Sequence, residues 1–286
     1  MVGAGNDFLV LDDRDGSFTE VPADRWQALS SRRTGIGADG ILLLQSSTDH
    51  DFTMHYLNAD GREAEMCGNG ARCLAWMAAV EYGLGRAPTL DTPHPPGWER
   101  EDGTGAGQIW SLSFEAADGL HHALGWERRV AVSMGSPDEP VTLTVETASG
   151  PVAGLLLRIC VPHFVVRVDD PEEVDVAALG PELRGHDSMG AGGANIDWLS
   201  TAPGEDGAWS LRTYERGVEA ETLSCGTGTT AAAALLAEAG AVSPVDIRTR
   251  GGEILRVYFE TTPEGPRNLW LEGPIRVVYR GTLAEV

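Results

Sequence analysis

The feature that most restricts this chain is an internal repeat. Glu63-Ala64-Glu65-Met66-Cys67-Gly68-Asn69-Gly70 and Glu221-Thr222-Leu223-Ser224-Cys225-Gly226-Thr227-Gly228 share the frame E-x-x-x-C-G-x-G, and each runs into a segment of small residues. Cys67 and Cys225 lie 158 residues apart. Asn6-Asp7-Phe8 matches Pro162-His163-Phe164, and Gly37-Ala38-Asp39 matches Gly193-Ala194-Asn195, both at an offset of 156. Three matches in one order at nearly one spacing imply two copies of one strand-rich unit with a single main helix. The expected division is 1–128 plus 274–286 for the Cys67 half and 129–273 for the Cys225 half.

Apolar alternation predicts strands over 8–11, 41–45, 52–57, 109–114, 141–145, 155–159, 164–168, 211–214 and 277–279. Few segments look helical. The two clearest, 71–82 and 229–239, follow the glycine-rich turns and stop at Gly83 and Gly240, the residue type that closes a helix C-terminus. Their alanine-rich composition implies buried helices. The Pro- and Gly-rich stretch 85–107 reads as a surface loop, and 135–140 as a polar break between units.

In each half the cysteine stands directly before Gly-x-Gly and a helix. Its sulfur is therefore expected beside the positive end of the helix dipole and unpaired backbone N–H groups, a setting that lowers a thiol pKa from about 8.5. The same N–H groups can hold a carboxylate. Across a pseudo-twofold axis the two turns would converge on one cleft. A carboxylate-bearing substrate between two thiols is a setting for two-base proton transfer, one sulfur removing a proton and the other delivering one to the opposite face. Core burial is the commoner fate of a free cysteine. It is the expectation for Cys73, inside the first helix, and Cys160, ending an apolar run. A redox pair of Cys67 and Cys225 is a weaker alternative, because it leaves the two anion-receptive turns idle.

Composition narrows the chemistry. All 21 basic residues are arginine, which excludes a lysine Schiff base and a phosphate-loop lysine. The formal net charge of −22 opposes a phosphate backbone, so nucleic acid is not an expected partner. The first residues carry neither a basic nor an apolar leader, and no apolar run approaches the roughly 18 residues of a membrane span. Four cysteines without CxxC spacing are no secreted disulfide framework, and the expected compartment is the cytoplasm. Adjacent His121 and His122 would point to opposite faces of a strand, while His50, His55, His94 and His186 lack ligand spacing; no metal is expected. Asp169-Asp170 with Glu172-Glu173 reads as a solvated acidic turn, and the glycines of 190–193 lack the context of a dinucleotide site.

Together, Gly3-Ala4-Gly5-Asn6-Asp7-Phe8, 33–40 (RTGIGADG), Asn58-Ala59-Asp60-Gly61, 65–73 (EMCGNGARC), Pro162-His163, Tyr214-Glu215-Arg216-Gly217 and 221–228 (ETLSCGTG) resemble the diaminopimelate epimerase family over nearly the whole chain. The resemblance implies an α/β chain of the α+β type, with two pseudo-symmetric domains. Each would be a curled, mainly antiparallel sheet around a central helix, with the active site in the interdomain cleft. It implies cofactor-independent isomerisation of LL- to meso-2,6-diaminopimelate on the lysine and peptidoglycan route, in a homodimer. By residue, it implies that Cys67 and Cys225 are the acid/base pair and that Gly68, Asn69, Gly226 and Thr227 grip the α-carboxylate. Asn6, Asn58, Asn195, Glu215 and Arg216 would line the pocket, Arg216 holding the distal carboxylate. His163 and Glu215 match positions that assist near the reacting amino group, and Tyr279 matches a dimer-contact tyrosine.

One departure bears on substrate. Many members carry Asn-Pro-His where this chain has Val161-Pro162-His163. A contact to the distal end of the substrate is then missing or supplied by other atoms, and such a contact discriminates strongly. One alternative follows, a racemase of the same fold acting on another amino acid, histidine for example; the anion-receptive turns taken alone allow another, a non-catalytic module that binds a small carboxylate. Four of the five asparagines (Asn6, Asn58, Asn69, Asn195) fall in the expected site, Asn268 outside it.

Overall fold

Strands that are apolar on both faces must be covered on both sides, and each half of this chain has one such strand beside a buried helix. A computed structural model of the chain describes residues 1–98 and 108–283. It divides into two units. One is built from the described residues of Met1–His94, Glu99–Ser133 and Gly273–Val286, the other from Pro95–Trp98 and Met134–Glu272.

In the first unit, β1 (Val2–Gly3) pairs antiparallel with β2 (Asn6–Asp12), which lies parallel to β3 (Gly40–Gln45) across the connection that holds α1 (Ala23–Ser30). β3 pairs antiparallel with β4 (Phe52–Asn58). Then α2 (Gly68–Trp76) precedes the meander β5 (Trp110–Ala116), β6 (Gly119–Trp126) and β7 (Arg129–Gly135). Ile41, Leu42, Leu43 and Leu44 of β3 are each 2% exposed or less. Ile41 and Leu43 pack with Trp26 of α1, whereas Leu42 faces Gly70 of α2. Covered on both faces, each leucine contributes roughly 1.5–3 kcal/mol of burial. All nine residues of α2 are buried, against β1, β2, β3, β4 and β6.

The second unit has the same logic. β8 (Val141–Thr147), β9 (Gly150–Ile159) and β10 (Val161–Val168) form an antiparallel meander, and β10 runs parallel to β11 (Asn195–Ser200) across the segment that holds α3 (Val176–Arg184). β11 pairs antiparallel with β12 (Trp209–Glu215), which also pairs with β13 (Ala220–Thr222). α4 (Gly226–Glu238) follows, then the antiparallel strands β14 (Val245–Arg248), β15 (Ile254–Thr262) and β16 (Gly265–Arg276). α4 packs on β9, β10, β11, β12, β14 and β15, and α3 packs on β8, β11, β12 and β13, its Val176 and Leu183 sharing a buried cluster with Tyr214 of β12. The fold is α+β, with one central helix per unit. The repeat persists as register: Phe8 pairs with Gly40 in one parallel ladder, and 156 residues later Phe164 pairs with Ile196 in the other.

Some expectations need correction. Each central helix begins at the glycine after its cysteine rather than at 71 or 229, because the cysteine caps it. The first does not continue as α-helix to residue 82 but turns π-helical over Met77–Glu81, where the Tyr82 N–H donates to the Met77 carbonyl at 3.2 Å. The run 277–279 forms no strand, since β16 ends at Arg276; Tyr279 follows it with 56% of its surface exposed. α1 and α3 lack a strong periodic pattern, and α3 carries an internal Pro181. Stretch 85–107 is irregular through Trp98 apart from a bridge between Arg86 and Ser111, and its remainder lies outside the described residues. Among the described residues no helix is long and apolar enough to cross a membrane.

Candidate active site

Cys67 is extended (φ −123°, ψ 107°) and caps α2: its Sγ accepts the Gly70 N–H at 3.4 Å. A sulfur here does what a serine or aspartate oxygen usually does at a helix start. The turn is tight. A Cβ on Gly3 would stand 2.6 Å from the Asn69 carbonyl oxygen, so β1 meets the helix start through glycine. Asn69 is wholly buried and its amide orientation is fixed. Arg72 Nη2 donates to Asn69 Oδ1 at 2.7 Å, which turns Asn69 Nδ2 toward Asn6 Oδ1 at 2.6 Å. Asn6 Nδ2 in turn donates to Asp39 at 3.2 Å, and Arg32 joins Asp39 to Asp7. Burial works against an Asp7 charge, yet the Arg32 guanidinium outweighs it and holds the carboxyl below its usual range. Asn58 ends β4 opposite Gly40, the residue after Asp39. Cys67, Gly68, Asn69, Asn6 and Asn58 are thus on adjoining elements of the first unit.

Cys225 repeats the cap in the second unit. It is extended (φ −118°, ψ 113°), its Sγ accepts the Gly228 N–H at 3.3 Å, and Thr227 Oγ1 lies 3.4 Å from the sulfur. Thr229 and Thr230 hydroxyls donate to the Cys225 and Gly226 carbonyls at 2.8 and 2.9 Å, pinning the first turn. His163, on β10, and Asn195, on β11, face each other in the parallel ladder. The fully buried His163 has Nδ1 2.7 Å from Asp197 Oδ2, and Asn195 accepts the Arg216 backbone N–H at 2.7 Å. Arg216 follows Glu215, the last residue of β12, and its guanidinium lies beside Gly192. Val161 is a buried first residue of β10.

The Cys225 thiol departs from the expectation of a lowered pKa. Burial pushes it well above the ordinary value, the Glu215 and Asp197 carboxylates push the same way, and the Thr227 hydroxyl and Gly228 N–H oppose them without prevailing. The helix dipole is there, but desolvation of a 5%-exposed thiolate outweighs it. Cys225 is therefore a thiol at neutral pH. Cys73, one turn into α2, is fully buried and pushed up to about 11 by desolvation. Cys160 is half-buried with its sulfur near the Met134 carbonyl.

Arg72, Asp197 and Thr213 belong to these networks and were not marked by the sequence reading. One signal was available. Asp197 follows Asn195 by two residues on a strand, hence on the same face, and a charged residue within Ile196-Asp197-Trp198-Leu199 is out of place unless partnered.

The sequence profile of the family described as diaminopimelate epimerase matches residues 1–96 and 156–270. The chain is 38% identical over 291 residues to the diaminopimelate epimerase of Chlorobaculum tepidum, covering 99% of both chains. It is 34% identical to that of Aquifex aeolicus, covering 99% of this chain and 96% of the relative. Among solved structures, a Bacillus anthracis phenazine biosynthesis protein of the PhzF family superposes with a TM-score of 0.65 at 14% identity, over 96% of this chain and 92% of that one. A probable proline racemase from Agrobacterium radiobacter K84 does so at 0.62 and 16%, over 88% and 78%. Those two likenesses speak for the fold alone. A family profile that spans both cysteine turns, with full-length identity above one third to these relatives, decides more: the chain belongs to the diaminopimelate epimerase family and is an isomerase.

Proposed function

We propose that the chain interconverts LL- and meso-2,6-diaminopimelate by moving a proton through Cys67 and Cys225 at one α-carbon. The observation that carries this reading is the duplicated cap: two cysteines in matching conformations, each accepting an N–H from its own helix at 3.3–3.4 Å. Family membership supplies the substrate class. In one direction Cys67 abstracts as thiolate and Cys225 donates as thiol, the form that burial and two carboxylates favour for it. One C–H bond breaks to give Cys67–SH while a new C–H bond forms from Cys225–SH on the opposite face. The two sulfurs then exchange roles, which is the state that runs the reverse reaction.

In this reading Gly68, Asn69, Gly226 and Thr227 hold the α-carboxylate at two helix N-termini. Asn6, Asn58, Asn195, Glu215 and Arg216 line the remainder, with Arg216 on the distal carboxylate, and His163 and Glu215 act near the reacting amino group. With no lysine in the chain, acidification of the α-proton rests on these donors and not on a pyridoxal imine. The same reading makes the chain a cytoplasmic homodimer acting in lysine and peptidoglycan formation.

Incubation with LL-diaminopimelate in deuterated water, without added cofactor, is expected to place deuterium at the α-carbon and yield the meso form. Cys67→Ala and Cys225→Ala should each lose at least about 10³-fold in kcat. Full turnover in either variant sinks the two-thiol assignment. Val161 favours one second reading, racemisation of another amino acid; turnover of histidine with none of diaminopimelate decides for it. Stoichiometric binding of diaminopimelate without exchange would instead mark a carboxylate-binding module.

A further inference from the structure

A run of hydrogen bonds in the second unit has only one consistent direction. The Arg216 backbone N–H donates to Asn195 Oδ1 at 2.7 Å. Reversing that amide would set N–H against N–H, so the Asn195 oxygen is fixed and its Nδ2 is the atom 3.5 Å from His163 Nε2. Nε2 must then accept, and the ring proton resides on Nδ1, where it is donated to Asp197 Oδ2 at 2.7 Å. The other Asp197 oxygen accepts from the Thr213 hydroxyl at 2.6 Å. Asp197 and His163 are both 0% exposed, so bulk solvent does not reach these atoms. Asp197 also abuts the cysteine cap: a Cβ on Gly228, whose N–H binds Cys225 Sγ, would fall 2.4 Å from Asp197 Oδ1.

We propose that Asp197 is a positioning residue that holds His163 as the Nδ1–H tautomer, presenting an unprotonated Nε2 on the Asn195 side. Thr213 fixes the rotation of the carboxylate and Asn195 checks the tautomer from the other side of the ring. The buried carboxylate also abuts the helix start that carries Cys225, so one side chain orients the imidazole and braces the thiol's cap. Asp197 touches no reacting atom and acts through its neighbours: it orients the His163 ring, and its charge is one of the two that favour the thiol at Cys225. The kinetic consequence rests on the epimerase reading above; the tautomer does not.

Nitrogen-15 NMR of histidine-labelled free protein, with the ring assigned by its loss in His163→Asn, reads the tautomer directly. The expected pattern is a protonated Nδ1 and an unprotonated Nε2. In Asp197→Asn the amide can turn either its oxygen or its N–H toward Nδ1, so the ring should no longer be held wholly as Nδ1–H and an Nε2–H population should appear. With the tautomer wrong, kcat on diaminopimelate should fall by about 10²-fold or more while KM changes by less than about 3-fold. Thr213→Val, which keeps the carboxylate, should retain the Nδ1–H ring and lose less activity. An Nε2–H ring in the unsubstituted protein overturns the proposal, as does an Asp197→Asn protein with unchanged tautomer and kcat. Should Asp197→Asn not fold, the unsubstituted ring and Thr213→Val decide. Absence of diaminopimelate turnover would sink the substrate reading and leave the ring measurement standing.

Discussion

Cys73 and Cys225 show how burial overrides a position's electrostatic promise. Both belong to helices whose N-termini favour anions, yet both thiols are pushed up, Cys73 to about 11. Motif spacing revealed that Cys225 precedes a helix, but not that 95% of its surface would be covered. Burial is a sum over partners distant in sequence, and for the same reason Asp197 and Arg72 were not recognised. The elevated Cys73 value makes a prediction about stability. An unfolded Cys73 thiol ionises near its ordinary value while the folded one stays protonated, so its contribution is fully present below about pH 8.5 and is lost as pH rises toward 11. Two pH units correspond to about 3 kcal/mol at most. Urea unfolding of the native chain and of Cys73→Ala, between about pH 7.5 and 10.5, should show the variant losing stability more slowly, by on the order of 1 kcal/mol per pH unit. Equal slopes would remove Cys73 as the source. Native Cys73 should also resist alkylation at pH 8, when only about one thiol in a thousand is ionised.

At the level of elements, the repeat was legible because it is local: a cysteine, two glycines and an alanine-rich run lie within a dozen residues of one another. It told where the central helices fall but not where they start, since capping by a cysteine sulfur is rare enough that propensity placed the start after the glycines. Strands β2, β3, β4 and β10 were legible from apolar runs, whereas α1 and α3, short and weakly patterned, take their stability from the sheet faces they cover. The cap also explains its glycines. Alanine at 228 would improve intrinsic helix propensity by about 1 kcal/mol, but its methyl would meet buried Asp197 at 2.4 Å, with Thr213 at 3.2 Å. Neither neighbour can leave without breaking a hydrogen bond, so overpacking should win. Gly228→Ala is expected to destabilise by about 1–3 kcal/mol. It should also shift the His163 ring signals, because Asp197 must move. Thermal unfolding and the NMR spectrum check the two effects separately; a stabilised variant with unmoved ring signals would show that the cap tolerates a side chain.

For the whole molecule, fold and chemistry are specified by different parts of the chain. The PhzF-family protein and the proline racemase share this fold at 14–16% identity, so the strand order alone leaves the reaction open, and the paired cysteine turns narrow it. Net charge belongs to this scale as well. Forty-three acidic residues against 21 arginines leave −22, too many acids for pairing to neutralise. Surface pairs such as Arg86 with Asp51 and Arg32 with Asp7 and Asp39 gain about 0–1 kcal/mol each, and salt weakens them. Salt also screens repulsion among the unpaired carboxylates, which acts between all acids within a Debye length of about 30 Å at 0.01 M and about 8 Å at 0.15 M. The unfolded chain spreads the same charge over a larger volume, so repulsion penalises the folded state more. With twice as many acids as bases the repulsive sum grows with the square of the excess, while the attractive sum grows only with the number of pairs. Raising sodium chloride from about 0.01 M to about 0.5 M should therefore increase Tm, by on the order of 5 °C. Calorimetry in chloride, which avoids the added stabilisation that sulfate gives, makes the comparison; a Tm that falls with salt would show that the arginine pairs, and not the acidic excess, govern stability.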